Sequence, residues 1–196
     1  MNQGVDNKIL ETLPQRIDRQ HVLFFDMDGT LIDTNYANYL SYTQAIHQVL
    51  KTESDISYTP DIRFTRMHLK KIFPSLEKAE YDKIIQLKNN FYTEQLSKTE
   101  LNVAIVQILK KYFKTNTTVL VTNCREDRAV MTLRYHGLFN DFDHKFYRNQ
   151  HNKYEYALAS LGMSPASVFV FENEKTEIEN AISAGIPCEN IIYVTP

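Results

Sequence analysis

Cysteine is scarce in this chain of 196 residues, which contains only Cys124 and Cys188. Neither belongs to a CxxC pair, so there is no zinc signature and no disulfide framework, and two reduced thiols are expected. No apolar run approaches the roughly 20 residues that a membrane span requires. The opening stretch, MNQGVDNKILETLPQRIDRQ, has no basic segment followed by an apolar one, the pattern of a secretory signal. A cytoplasmic protein with no membrane partner is therefore expected. Charge of one sign is not in excess either: 22 Lys and Arg face 24 Asp and Glu, a formal net charge of -2, and the basic residues gather in nothing larger than pairs such as Lys70-Lys71 and Lys110-Lys111. This balance argues against a nucleic-acid partner bound by counterion release. The six histidines show no HxxxH or HExxH spacing, which argues against a histidine metal site.

The chain does contain short apolar segments in a repeating order. Four are rich in β-branched and aromatic residues: Val22 to Phe25, Val119 to Val121, Val168 to Phe171 and Ile191 to Val194. Each is continuous rather than alternating, the pattern of strands buried on both faces of a parallel sheet. A short fifth strand is expected near His144 to Tyr147. Helical spacing follows at Ala129, Val130 and Leu133 before Gly137, at Ala157, Leu158 and Leu161 before Gly162, and at Ile178, Ala181 and Ile182 before Gly185. Glycine just past the last periodic residue is a common helix stop. Strand and helix in alternation predict an open α/β sheet whose ligands bind at the carboxyl ends of the strands.

The interval from Thr34 to Thr115 interrupts that order. It shows no convincing strand, and its apolar residues recur at helical spacing: Tyr36, Tyr39, Leu40 and Ile46; Tyr81, Ile84, Ile85 and Phe91; Leu101, Ile105, Ile108, Leu109 and Tyr112. Pro60 and Pro74 bracket a further short helix. The expected organisation is an α/β core over 1-33 and 116-196, with an all-helical insertion over 34-115. Residues 1-20 form an extension with a short amphipathic helix at Ile9, Leu10 and Leu13. Twelve basic and eight acidic residues fall between Thr34 and Thr115, against ten and sixteen elsewhere. Part of that local basic excess is expected to attract an anionic substrate.

The first strand runs directly into FFDMDGTLIDT, residues 24 to 34. Asp26 and Asp28, followed by Gly29 and Thr30, put two carboxylates at a strand's carboxyl end where the chain must turn. The segment resembles the DxDGT signature of the haloacid dehalogenase (HAD) superfamily, whose first Asp is the nucleophile. Three later segments resemble its remaining motifs in the same order. Thr122 in VLVTNCR matches the Ser/Thr that binds the transferring phosphoryl group, Lys153 in HNKYEYALASLGM matches the basic residue, and VFVFENEKTEIENAISAGI matches the acidic motif. Together the motifs span residues 22 to 187. The resemblance implies a HAD-like Rossmannoid core of three α/β/α layers around a parallel sheet, with the insertion as a C1-type helical cap, similar to β-phosphoglucomutase and phosphoglycolate phosphatase-like members.

That resemblance implies a Mg2+-dependent phosphatase acting on a small phosphorylated metabolite through an aspartyl-phosphate. Its catalytic residues are Asp26, Asp28, Thr122 and Lys153, and Thr122, Asn123, Arg125 and Lys153 contact the substrate. The metal ligands implied are Asp26, Asp28 through its main-chain carbonyl, Asn173 and Glu172. An anionic carboxylate attacks an anionic ester only when cations offset the repulsion, and Mg2+ takes hard oxygen ligands. Asp28 matches the acid-base residue that dehalogenase and phosphonatase branches lack, which favours a phosphatase or a phosphomutase of the β-phosphoglucomutase type. The fourth motif departs from the family pattern: Asn173 falls where the metal-binding Asp is expected. Its carbonyl can ligate but brings no charge, so weaker metal binding is expected, with Glu172 or Glu177 compensating. A weakened protein that binds phosphometabolites without efficient turnover is the alternative.

Overall fold

Burial of the β-branched and aromatic runs on both faces determines the architecture. In the structure, a computed structural model that describes residues 13, 15-52, 56-60 and 62-195, five strands form one sheet. They are β1 (Val22–Phe25), β4 (Thr118–Val121), β5 (His144–Phe146), β6 (Val168–Glu172) and β7 (Ile191–Tyr193). The order is β5-β4-β1-β6-β7, and every pairing is parallel. β1, β4 and β6 are buried at every residue, as their uninterrupted apolar character requires.

Alternate side chains of these strands feed two cores. Leu23, Phe25, Leu120, Phe169 and Phe171 pack with Ile105, Ile108 and Leu109 of α4 (Val103–Tyr112) and with Ala129 and Leu133 of α5 (Glu126–Tyr135). Val22, Phe24, Val119, Val121 and Val170 pack with Tyr154, Ala157 and Leu158 of α6 (Lys153–Leu161) and with Ala181 of α7 (Lys175–Ser183). Helices thus cover both faces of the sheet, giving the three α/β/α layers. Gly162, at φ +62, ends α6 in the left-handed conformation expected of a glycine stop.

Two compact units emerge, one running through Ile32 and resuming at Leu101, the other spanning Asp33 to Glu100. The second unit is helical, with α1 (Asn35–Leu50), α2 (Arg66–Ile72) and α3 (Lys78–Glu94) around a core of Tyr42, Ala45, Ile46, Ile56, Phe64, Leu69 and Ile84. The buried ammonium of Lys88 lies 5.2 Å from the Tyr42 ring centroid and 5.3 Å from that of Tyr92.

Two expectations for the insertion are corrected. The helix carrying Ile105, Ile108, Leu109 and Tyr112 belongs to the α/β unit, because those residues share a core with Leu23 and Phe25. The interval also holds a strand: β3 (Glu100–Leu101) pairs with β2 (Ile32–Asp33), so the chain leaves and re-enters the α/β unit through one short ribbon. The expected N-terminal helix falls mainly outside the described residues, since Ile9 and Leu10 are not among them; Leu13 is buried in the α/β core. No helix among the described residues is long and apolar enough to cross a membrane.

Phe25 and Phe171 stack across β1 and β6 with ring centroids 4.6 Å apart and planes within 6°. Truncating one leaves a void that rigid strands cannot close. Phe171→Ala is expected to lower the unfolding free energy by about 3-5 kcal/mol, measured by urea denaturation.

Candidate active site

β1 lies at the centre of the sheet, where the chain order reverses: β4 and β5 follow on one side, β6 and β7 on the other. Ligands of open α/β sheets bind at the carboxyl ends of the strands at such a point. The first residue past β1 there is Asp26, whose N–H donates to Phe171 O at 3.1 Å and whose side chain is buried. The following loop folds back tightly. Leu31 N and Ile32 N donate to Met27 O at 3.1 and 3.0 Å, and Gly29 N donates to Ile32 O at 2.8 Å. Gly29 is demanded twice over. Its φ is +85, and a Cβ there would lie 3.0 Å from Asn173 Cγ and collide with the amide beyond it.

Lys153 opens α6, whose start is capped by the Asn152 side chain accepting from Tyr154 N at 3.0 Å and Glu155 N at 3.4 Å. Its buried Nζ donates to Asp26 Oδ1 at 2.7 Å and to Glu172 Oε2 at 2.8 Å, with Glu177 Oε2 3.9 Å away. Glu172 is fully enclosed at the end of β6, and both its oxygens are occupied. Oε2 also accepts from Tyr154 OH at 2.6 Å, while Oε1 accepts from Asn173 N at 2.8 Å and Glu174 N at 2.9 Å. Such saturation is what allows a carboxylate to remain buried.

One ammonium therefore serves two carboxylates. Burial pushes the Asp26 carboxyl up to about 8; Lys153 opposes this, while Glu172 and Asp28 reinforce it. For Lys153 burial disfavours the charge, but Asp26 and Glu172 outweigh it and hold the ammonium above the usual lysine value. Burial, then the charge of Glu172, lifts the Tyr154 hydroxyl well above its ordinary value, so it remains a donor.

The remaining expected residues divide. Thr122 lies one residue past β4, buried, with its N–H donating to Phe146 O at 2.9 Å and its Oγ1 accepting from Cys124 N at 3.1 Å. Asn123 is exposed. Arg125 is exposed and bound to Asp127 at 3.1 and 2.6 Å; it lines a groove of about 980 Å³ with Tyr147, Arg148 and Arg134, outside the Asp26–Lys153–Glu172 cluster. The arginine that does reach the DxD loop is Arg128. Its Nη2 donates to Asp28 Oδ2 and its Nε lies 2.8 Å from Cys124 Sγ. Sequence reasoning missed it, although it sits one turn along α5 from Cys124 on the helix that follows β4. It also missed Tyr154, whose only signal is that a buried phenol needs a partner for its hydroxyl.

Among the described residues no group of three or more His, Cys, Asp or Glu is arranged to hold a metal ion. Around the Asn173 amide the oxygens are instead the Asp28 main-chain carbonyl, Thr30 Oγ1 and Glu172 Oε1, with Asp26 two residues before Asp28 in the same loop. With its nitrogen toward the loop, Asn173 donates to Thr30 Oγ1 at 3.0 Å and to Glu172 Oε1 and Asp28 O at 3.2 Å each. Neighbouring oxygens of an octahedral Mg2+ shell lie about 3 Å apart, so an amide oxygen in that position suits a small hard cation. The surplus of carboxylate over ammonium points the same way.

A family model described as haloacid dehalogenase-like hydrolase matches residues 23-191. Solved structures share the fold. A haloacid dehalogenase-like family hydrolase from Streptococcus pneumoniae is 17% identical over 87% of this chain and 83% of its own, with a TM-score of 0.72. A protein described as a predicted phosphoglycolate phosphatase from Haemophilus somnus is 18% identical over 86% and 84%, with a TM-score of 0.71. CbbY from Rhodobacter sphaeroides, solved in complex with phosphate, is 15% identical over 86% and 84%, with a TM-score of 0.65. Comparison with curated proteins finds no match.

The raised carboxyl of Asp26 makes stability depend on pH in a defined sense. Folded, it keeps a proton to about pH 8; unfolded, it loses it near 3.8. The native state thus binds the extra proton between those values, so the metal-free protein is expected to lose stability as pH rises from about 4 to about 8. Lys153 contributes no slope in this window, because both its states stay protonated there. Denaturation across the pH range should show this component in the wild type and not in Asp26→Asn.

Proposed function

The chain belongs to the haloacid dehalogenase-like hydrolases, and from that premise we propose that it is a Mg2+-dependent phosphoric monoester hydrolase acting on a small phosphorylated metabolite. The observation that carries this reading is the grip of Lys153 on Asp26 at 2.7 Å, at the sheet's reversal point. Asp26 attacks phosphorus as a carboxylate, forming an acyl phosphate as the ester P–O bond breaks. Asp28 gives a proton to the departing oxygen. It then takes one from the water that attacks phosphorus and releases Asp26 and inorganic phosphate. Lys153 offsets charge on Asp26 and the phosphoryl oxygens, to which Thr122 Oγ1 and nearby main-chain N–H groups donate. The Asp26 carboxylate, the Asp28 carbonyl and the Asn173 amide oxygen would hold Mg2+, which would supply the further positive charge that lets two anions meet.

Asp28 has a second demand on it. Its side chain is paired with Arg128, so passing a proton to the departing oxygen requires that this contact loosen as the ester binds. The Asp33 to Glu100 unit serves as a cap that excludes water and selects the substrate. The basic excess expected of the insertion does not belong to this unit: nine Lys and Arg face nine Asp and Glu from Asp33 to Glu100, because Lys110, Lys111 and Lys114 fall in the α/β unit.

A generic aryl phosphate provides the test. Asp26→Asn is expected to lower turnover by more than about a thousand-fold while keeping a cooperative unfolding transition. EDTA should abolish wild-type turnover and added Mg2+ restore it; metal-independent hydrolysis would refute the mechanism.

A further inference from the structure

Asn173 occupies a position where two arrangements of one amide have opposite consequences. The half-buried side chain is wedged against Gly29, where even a Cβ would collide with it, so one end of the amide is held close to the Asp28 carbonyl. With nitrogen at that end, N–H groups reach three acceptors: Thr30 Oγ1 at 3.0 Å, Glu172 Oε1 at 3.2 Å and Asp28 O at 3.2 Å. With oxygen there, the same distances separate it from two oxygens that cannot donate, the Asp28 carbonyl and the Glu172 carboxylate. Only Thr30 suits both, because its hydroxyl accepts from the nitrogen or donates to the oxygen at 3.0 Å. The oxygen-in arrangement thus leaves acceptors facing one another and is stable only with positive charge among them.

We infer that Asn173 is a built-in substitute for the divalent cation: in the metal-free protein its amide N–H groups tie the Asp28 carbonyl to Glu172, and Mg2+ binds as the amide turns its oxygen into the same position. The inference rests on the hydrolase reading above. A carboxylate at residue 173 has no such second arrangement. Without metal it would set a fourth acidic side chain beside Asp26, Asp28 and Glu172, where Lys153 and Arg128 already serve three. Asparagine exchanges that repulsion for hydrogen bonds, holding the DxD loop in its binding geometry before metal arrives. The cost falls on affinity, because Mg2+ must displace the N–H contacts and gains no charge from residue 173. Rotation about the Cβ–Cγ bond is all the change requires.

Three proteins separate the amide's role from that of charge: wild type, Asn173→Asp and Asn173→Ala, each stripped of metal and titrated with MgCl2 alone. Calorimetry is expected to show Asn173→Asp binding Mg2+ at least about tenfold more tightly than wild type, and Asn173→Ala no more tightly. Without metal, both variants should melt below wild type, and Mg2+ should raise the midpoint of Asn173→Asp most. The side-chain amide resonance of Asn173, identified by its loss in Asn173→Ala, should be protected from exchange in metal-free protein and lose that protection as Mg2+ is added. Equal metal-free midpoints with Mg2+ affinities within about twofold would overturn the inference, yet leave the hydrolase reading standing if aryl phosphate turnover still needs Mg2+. Absence of Mg2+ binding by every protein at millimolar concentration would overturn the inference and the metal dependence of that reading together.

Discussion

The ammonium of Lys153 between Asp26 and Glu172 is the constraint on which the site depends. Three elements distant in sequence converge on it: the end of β1, the start of α6 and the end of β6. Each carboxylate alone would be too costly to bury at the end of a hydrophobic strand, and the lysine alone likewise. Together they are tolerated because Tyr154 and two main-chain N–H groups complete the shell of Glu172. Glu172 thereby acts chiefly on Lys153, holding it where it meets Asp26. Its fourfold hydrogen bonding sets it apart from a residue awaiting a metal.

The balance of charge at this point organises the loop around it. Lys153 and Arg128 face Asp26, Asp28 and Glu172, and burial, reinforced by the charges of Glu172 and Asp28, raises the Asp26 carboxyl against the pull of Lys153. The carboxyl proposed as nucleophile is restrained in that state until further positive charge arrives. The contact with Arg128 ties the Asp28 side chain to α5, and Gly29 allows the two carboxylates to share a loop that turns within a few residues.

Much of this was legible in the sequence, for physical reasons that differ by element. The four principal strands stood out because burial on both faces demands uninterrupted apolar residues, and Asp26 stood out because polarity begins abruptly where β1 ends. Lys153 was found through motif order alone, since nothing in a single lysine shows that it is buried. The helix of Ile105, Ile108 and Leu109 was read correctly as amphipathic and assigned to the wrong unit, because an apolar stripe does not declare which core it faces. β2 and β3 are two residues each, below any periodicity. Arg128 reaches Asp28 across a hundred residues of chain, a proximity that only the parallel pairing of β1 with β4 creates. At Asn173 the chemical departure was visible, but the choice between nitrogen and oxygen depends on Thr30 and Asp28, which only the fold brings near.

The short ribbon of β2 and β3 also bears on how the chain assembles. Phe25 and Leu120 are register partners in adjacent parallel strands although nearly half the chain lies between them. Parallel pairings at such separation are slow, since the entropy of closing the loop precedes any gain from contact. If the helical unit folds first and zips its ends together, the interval that remains to be closed shrinks to roughly a quarter. Closure entropy grows only with the logarithm of length, so this relief amounts to about 1 kcal/mol at the nucleating step. Because the ribbon contributes it by joining the ends, what lies between them can lengthen, shorten or change sequence with little effect on the speed at which the parallel sheet forms.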